Sequence, residues 1–167
     1  MSLQSDISIE CEHWSKLADL DALVERALQA ARLEAGKTLI NGAEVSLLFC
    51  DDVRIQELNR DWRSLDKPTN VLSFPAAPVE RLASAPLLGD IAIAFETVTK
   101  EASDEDKTLS DHTSHMIVHG FLHLLGYDHE NEQEAEEMED LERRALARLG
   151  IADPYAASEL VNGKKAS

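Results

Sequence analysis

Hydrophobic and polar residues alternate along this chain with two different periods, which predict strands and helices in turn. Residues 7–12 alternate with a period of two and predict a half-buried strand. Apolar residues then recur at helical spacing over 19–34, and Gly36 marks the end of that predicted helix. The apolar run within 44–50 predicts a buried strand, and 51–63 predicts a helix that begins with an aspartate N-cap.

The second half of the chain continues this alternation and then becomes helical. Residues 70–74 and 89–95 are predicted to be strands. The stretch 76–87 between them is predicted to be a loop, because it contains two prolines and little periodicity. Three helices are predicted to follow: a short one over 96–102, one with Ser110 as its N-cap, and one that begins after Asn131 and ends at Gly150.

The predicted order of elements is β-α-β-α-β-β-α-α-α, which indicates an α+β (mixed α/β) fold. We expect a small mixed sheet of about four strands, packed with about five helices. The length favours a single domain over residues 1–155, followed by a disordered tail over 156–167.

The composition is that of an ordinary globular protein, since 44% of the 167 residues are hydrophobic and 29% are charged. No stretch approaches the ~20 apolar residues that a membrane-spanning helix needs. The N-terminus lacks the basic and then apolar pattern of a secretory signal. We therefore expect a cytoplasmic protein without a membrane partner. Cys11 and Cys50 are expected to be buried free thiols, with a disulfide between them as the alternative.

The charge balance argues against a nucleic-acid partner when it is taken alone. Sixteen basic residues against 32 acidic residues give a net charge of −16, whereas nucleic-acid binders are usually basic over at least one face. The charges are unevenly spread, however, because residues 130–142 hold eight acids and no basic residue. Basic residues gather elsewhere, at Arg54, Arg60, Arg63 and Lys67, so a local basic groove is compatible with the acidic total.

Three of the six histidines fall within one stretch of eleven residues, in the pattern H-x-x-x-H-x-x-G-x-x-H. His119 and His123 are four residues apart, so they lie on one face of a helix. Gly126 allows the chain to leave that helix, so that His129 can approach the first two. Three imidazoles with one open position are typical of a catalytic zinc site, although imidazole also suits copper, nickel and iron. Packed core histidines are the alternative.

Other residues in and around this motif limit the reactions that the site could catalyse. Gly120 stands where zinc peptidases with the H-E-x-x-H pattern have their glutamate base, so ordinary metalloprotease activity is not expected. His115 lies four residues before His119, on the same helix face. We interpret it as a residue that supports a ligand or assists proton transfer, because a fourth ligand would close the site. His112 and His13 are expected to be ordinary surface residues.

The sequence HGFLHLLGYDH at 119–129 resembles the signature of the YbeY family, bacterial endoribonucleases that act in ribosomal RNA maturation. Other stretches are similar to the pattern of that family and occur in the same order. They are Arg63 with the KPTNVLSFP of 67–75, the LGDI of 88–91, His115, and the segments 134–139 and 150–155. The resemblance covers the chain from about residue 45 to residue 155.

The resemblance implies a single-strand-specific, metal-dependent endoribonuclease with one zinc ion held by His119, His123 and His129. It further implies processing of the 3′ end of 16S rRNA and a role in ribosome quality control. The partners would be single-stranded RNA or ribosomal RNA, together with the ribosome or ribosomal proteins. The fold it implies is the same small sheet with packed helices.

Arg63 and His115 are the candidate catalytic residues. From the residues alone, Arg63 is better explained as a surface residue paired with Asp61 or Asp66. The resemblance implies a functional arginine at this position, where a forked guanidinium can neutralise a phosphate. Asp90 is interpreted as a residue that caps or braces the core.

Two other functions are compatible with the motif. One is a zinc hydrolase of a different substrate, including a peptide, with a base supplied from elsewhere in the chain. The other is a non-enzymatic ribosome-assembly factor in which zinc only holds the helix and the turn together.

Overall fold

The computed structural model of this chain describes residues 2–156, which form a four-stranded sheet covered by helices. The strands are β1 (Gln4–Ile9), β2 (Glu44–Cys50), β3 (Val71–Pro75) and β4 (Leu87–Ala94). The α-helices are α1 (Leu20–Ala35), α2 (Asp52–Arg63), α3 (Phe95–Asp104), α4 (Leu109–Leu124) and α5 (Glu132–Arg148). Short 3-10 helices occur at Glu12–Lys16 and Val79–Ser84.

The sheet is mixed, and its strands lie in the order β1-β2-β4-β3. β1, β2 and β4 are parallel, while β3 runs antiparallel to β4 at one edge. Parallel neighbours need a crossover connection, which α1 provides between β1 and β2. The prediction of an α+β fold with this element order is therefore confirmed.

Most of the core lies on one face of the sheet. The residues of β2 alternate, so that Val45, Leu47 and Phe49 point into the layer formed by α1 and α4. α5 packs outside this layer against both α1 and α4. Burial of these apolar side chains, at roughly 25 cal/mol per Å² of apolar surface, is the main force that holds α4 on the sheet.

The opposite face of the sheet is only partly covered. α2 packs over it through Ile55, which joins a smaller buried cluster with Leu72 and Ala92. The rest of this face is open and carries the polar residues Ser46 and Asp90. Asp90 is exposed, so the interpretation that it caps or braces the core is wrong.

The first strand begins and ends earlier than predicted. β1 ends at Ile9, and the chain then enters the 3-10 helix in which Trp14 is 1% exposed. The Trp14 indole donates a hydrogen bond to the carbonyl oxygen of Cys50 at 3.0 Å and packs edge-on against Phe49. The burial of a large aromatic residue therefore overrides the alternation that predicted a strand up to residue 12.

Of the N-caps predicted for α4 and α5, the first is wrong and the second is correct. Ser110 is not the N-cap of α4, because Thr108 takes that position and its hydroxyl oxygen accepts a hydrogen bond from the Asp111 amide at 3.0 Å. Asn131 caps α5 as predicted, since its side-chain oxygen accepts from the Glu134 amide at 2.9 Å.

Three further predictions concern the two cysteines, membrane-spanning helices and the C-terminal tail. Cys11 and Cys50 are both buried and free, as predicted, and burial raises the pKa of the Cys50 thiol to about 12. No helix within residues 2–156 is long and apolar enough to cross a membrane. The expected disordered tail over 156–167 lies, apart from Ala156, outside the described residues.

Candidate active site: three histidines and a buried glutamate

Helix α4 presents two histidines side by side at its C-terminal end. His119 and His123 are one turn apart, and their ring centroids are 4.6 Å from each other. Their Nε2 atoms face each other at 3.1 Å. The spacing of four residues therefore produces the geometry that the sequence predicted.

A glycine turn after α4 brings the third histidine to the first two. Gly126 has a φ of +97°, in the left-handed region that favours glycine, and a Cβ there would lie 2.5 Å from Val79 Cγ2. The ring of His129 then lies 5.3 Å from that of His123 and 6.1 Å from that of His119, between centroids. The turn thus needs glycine for both its backbone conformation and its packing.

The donor atoms around His123 suit a divalent cation. His123, Asp128 and His129 each offer one ligand atom, and these atoms lie within 4.8 Å of one another. Burial, with the neighbouring charges of His119 and His129, lowers the pKa of His123 to about 4, so its imidazole is neutral at pH 7. A neutral imidazole is the form that binds a metal. The donor atoms of His123, Asp128 and His129 therefore fit a metal ion, and His119 adjoins them with its Nε2 3.1 Å from His123 Nε2.

Behind His119 lies Glu142, a carboxylate that the sequence reasoning missed. Glu142 is 1% exposed, and its Oε1 accepts hydrogen bonds from His119 Nδ1 at 2.8 Å and from His115 Nε2 at 3.0 Å. Its other oxygen accepts from the Tyr155 hydroxyl at 2.7 Å. Burial opposes ionisation of this carboxyl, but the hydrogen bonds from His115 and His119 outweigh it and lower its pKa to about 2.

A signal for Glu142 was present in the sequence. The inner face of α5 carries Met138, Leu141 and Ala145, all of which are buried. Glu142 stands four residues after Met138 and so lies in this apolar stripe. An acid on the buried face of a helix needs a partner, and that requirement could have drawn attention to it.

His115 lies on the far side of this carboxylate from the cleft. It is buried, its Nε2 donates to Glu142, and its ring centroid is 6.4 Å from that of His119. Burial lowers the pKa of His115 despite the neighbouring carboxylate. The structure therefore connects His115 to His119 through Glu142.

The histidines face a cleft of about 760 Å³ between the end of α4 and the segment that joins α2 to β3. The cleft is lined by cationic side chains from Arg63 and Lys67 and by the carboxylates of Asp128 and Glu130. Its charge is therefore mixed, although the whole chain has a net charge of −16.

Arg63 is the last residue of α2 and lies in the wall of this cleft. Its Nη2 donates a hydrogen bond to the Ser73 carbonyl oxygen at 2.7 Å, and its guanidinium lies 5.8 Å from the centre of the Phe74 ring. The two carboxylates considered as its partners are engaged elsewhere. Asp61 pairs with Arg60 at 3.0 Å, and Asp66 accepts from Gln56 at 2.9 Å.

Gly120 has no room for the glutamate that zinc peptidases carry at this position. A Cβ on Gly120 would lie 2.8 Å from Ile91 Cγ2 and 3.1 Å from Ser73 Oγ. The Ser73 hydroxyl donates to the Gly120 carbonyl oxygen at 3.0 Å, which holds α4 against β3. This face of α4 therefore packs on the sheet and points away from the three imidazoles.

His112 is not the surface residue that was expected. It is 2% exposed, and its Nε2 lies 2.9 Å from Glu101 Oε1. Asn70 also donates to both oxygens of Glu101, at 3.0 and 3.1 Å. This cluster joins α3 and α4 to the start of β3, which explains why the histidine is buried. His13, in contrast, is exposed as predicted.

Comparison with known proteins gives a consistent match over most of the chain. The family model described as Endoribonuclease YbeY matches residues 6–150. A protein of that name from Rhodopseudomonas palustris is 52% identical over 160 residues, which cover 95% of this chain and 84% of its own. Its counterpart from Agrobacterium fabrum is 51% identical over 164 residues, which cover 95% of this chain and 98% of its own.

A solved structure has the same fold. The solution structure of TM1509 from Thermotoga maritima matches with a TM-score of 0.55 and 25% sequence identity. The match covers 87% of this chain and 91% of that one.

Proposed function

This chain belongs to the YbeY endoribonuclease family, and we propose that it is a metal-dependent endoribonuclease that cleaves single-stranded RNA during the maturation of ribosomal RNA. The observation that carries the proposal is the convergence of His119, His123 and His129 on one cleft that also holds Arg63. The relatives are described as endoribonucleases, which supports RNA as the substrate.

His119, His123 and His129 would hold one zinc ion per chain, with one coordination position left to the cleft. A bound zinc ion supplies positive charge that lowers the pKa of water and stabilises charge on a phosphoryl oxygen. Asp128 would orient the third ligand, because its carboxylate accepts from the His129 amide at 2.8 Å and lies 3.6 Å from His129 Nδ1.

Glu142 and His115 would act as positioning residues. The Glu142 carboxylate keeps the proton of His119 on Nδ1, so that Nε2 presents a lone pair toward His123. His115 and Tyr155 also donate hydrogen bonds to the carboxylate and fix its orientation. We therefore infer that His115 helps to position His119 and does not act on the substrate. Its side chain reaches His119 through Glu142 and does not line the cleft.

Arg63 would bind the phosphate that is cleaved. One of its donors is held by Ser73, and the planar guanidinium retains further donors for the phosphate oxygens. The Ser73 carbonyl and the Phe74 ring limit the orientations of this side chain. A fixed donor can stabilise the negative charge that builds on the phosphate in the transition state.

The natural substrate would be ribosomal RNA at the 3′ end of the 16S molecule, in the cytoplasm, with a further role in ribosome quality control. A net charge of −16 disfavours long-range attraction of free RNA. We infer that ribosomal proteins, which supply basic surface, bring the RNA to the cleft. The exposed acids of 130–142, which do not include the buried Glu142, form the surface best suited to meet such a partner.

The proposal is tested by cleavage of a single-stranded RNA with purified protein of measured metal content, beside His119→Ala prepared in the same way. Circular dichroism must show that the variant is folded. Cleavage by the wild type alone supports the proposal. Equal cleavage by both proteins indicates carry-over ribonuclease, and unfolding of the wild type on metal removal favours a structural role for the metal.

A further inference from the structure

A second groove of about 820 Å³ lies beside the histidine cleft, on the open face of the sheet. Three residues line both cavities: Arg63, Ser73 and Pro75. An RNA strand whose phosphate lies at Arg63 therefore has an adjoining nucleotide at the entrance of this groove. A role for this groove in RNA binding rests on the proposed endoribonuclease function.

The wall of the groove next to Arg63 is aromatic. Trp62 precedes Arg63 at the end of α2 and is 73% exposed. Its ring meets the ring of Phe74 edge-on, at 6.3 Å between centroids and an interplanar angle of 62°. The T-shaped contact braces the Trp62 ring, and the exposed part of the side chain is available to a flat ligand.

The floor of the groove is a row of side chains that crosses all four strands. The register pairs Asp6 with Ser46, Ser46 with Asp90, and Asp90 with Phe74. Directly paired residues of neighbouring strands point to the same face, about 5 Å apart. Asp90 is therefore the carboxylate beside the aromatic pair, while Asp6 lies two strands further away, roughly 10 Å from Asp90.

The charges of the groove select which part of a nucleotide can enter it. Two carboxylates on the floor repel a phosphate, so the backbone must remain at Arg63 and Lys67 on the cleft side. The same carboxylates can accept hydrogen bonds from the N–H groups of a base. Guanine offers two adjacent donors on its Watson–Crick edge, N1–H and the 2-amino group, which match the two oxygens of one carboxylate.

We propose that this groove is a nucleobase subsite in which a base next to the cleaved phosphodiester stacks on Trp62 and donates from its Watson–Crick edge to Asp90. The subsite prefers guanine over adenine, cytosine and uracil. Single-stranded RNA is commonly bound in this way, by aromatic stacking together with readout of exposed base edges. The bidentate pair is expected to favour guanine over uracil by roughly tenfold in affinity.

Tryptophan fluorescence provides a test that does not depend on cleavage. The chain has two tryptophans, and Trp14 is buried in the core, so a change on RNA binding reports on Trp62. The probes are RNA pentanucleotides with guanine, inosine, adenine or uracil at the central position and uracil elsewhere. We expect strongest quenching and tightest binding with guanine, weaker binding with inosine because it lacks the 2-amino group, and weakest with uracil.

Four variants, two of them matched controls, separate stacking from general charge effects. Trp62→Ala should weaken binding of the guanine pentanucleotide roughly tenfold, measured by calorimetry, whereas Val53→Ala on the same helix should bind like the wild type. Asp90→Asn should abolish the preference for guanine. Asp6→Asn removes the same charge from the far side of the groove and should keep the preference.

The outcomes distinguish this inference from the proposed function. Guanine-dependent quenching without any RNA cleavage supports the subsite and contradicts the nuclease activity. RNA cleavage with neither a guanine preference nor quenching overturns the subsite and leaves the nuclease activity standing. Equal effects of Asp6→Asn and Asp90→Asn on the preference for guanine would also overturn the subsite. Absence of binding by every pentanucleotide would instead assign the acidic floor to a basic protein partner.

Discussion

Oε1 of Glu142 lies 2.8 Å from Nδ1 of His119, although the two residues belong to different helices and are 23 positions apart in the chain. The hydrogen bond fixes which nitrogen of His119 carries the proton and leaves Nε2 free to bind a metal. The carboxylate is buried, so its charge is tolerated only because His115 and Tyr155 also donate to it.

Replacement of Glu142 should weaken metal binding. Glu142→Gln removes the charge that holds His119 in its ligating form, and we expect the affinity for zinc to fall roughly 10- to 100-fold. The affinity is measured by competition with a chromophoric chelator. Glu136→Gln, at an exposed position on the same helix, is the matched control. Unchanged zinc affinity in Glu142→Gln would remove Glu142 from its proposed positioning role.

Arg63 should affect cleavage without affecting the metal. Arg63→Ala removes the proposed phosphate donor, so the rate of RNA cleavage is expected to fall roughly 100-fold. The zinc content, measured by atomic emission, should stay at the wild-type value. Arg60→Ala on the same helix removes a cation that pairs with Asp61 and should cleave like the wild type. If both variants lose activity equally, the effect is one of general charge.

Gly120→Ala should destabilise the fold. Alanine is the better helix former, but the added methyl group would press on Ile91 and Ser73 where α4 meets the sheet. Such overpacking costs about 1–3 kcal/mol against the ~1 kcal/mol gained in helix propensity, so we expect a net loss of up to about 2 kcal/mol. Urea denaturation measures the difference. A variant as stable as the wild type would show that α4 can move away from β4 at no cost.

The Glu101 carboxylate should contribute stability that depends on pH. Burial opposes its ionisation, but hydrogen bonds from His112 and Asn70 outweigh burial and lower its pKa below the ordinary value of 4.5. A carboxyl with a lowered pKa in the folded state stabilises the protein above pH 4.5, and this stability is lost as the pH falls through the folded pKa.

The comparison of wild type with Glu101→Gln measures this contribution. The free energies of unfolding, obtained in urea between pH 3 and pH 7, should differ most at the neutral end and converge under acid conditions. Glu137→Gln, at an exposed position on α5, serves as the control. A difference that grew as the pH fell would contradict the assignment.

The observed N-cap of α4, Thr108, and the predicted one, Ser110, can be compared by alanine substitution. Thr108→Ala removes the side-chain acceptor of the Asp111 amide and should cost about 1 kcal/mol of stability. Ser110→Ala lies inside the first turn, and its effect should stay within roughly 0.5 kcal/mol. Thermal unfolding measures both, and a larger loss in Ser110→Ala would restore the capping position predicted from the sequence.

Local features of the fold followed from the sequence because short-range geometry encodes them. The spacing of four residues placed His119 and His123 together, and Gly126 supplied the turn that returns His129. The bounds of β2 and α2 agree closely with their periodicity and with the aspartate before α2. Predictions failed where a distant contact decided the outcome, as when Trp14 ended β1 early to reach the core.

The element order, the histidine motif and the family resemblance could all be read from the amino-acid sequence, since each depends on residues that are near each other in the chain. Three relationships came to light only in the folded chain: Glu142 accepts a hydrogen bond from His119, His112 is buried against Glu101, and Trp62 shares a groove with Asp90. These relationships depend on how helices and strands pack. The role of a buried charge or of an exposed aromatic ring depends on the residues that packing brings into contact with it.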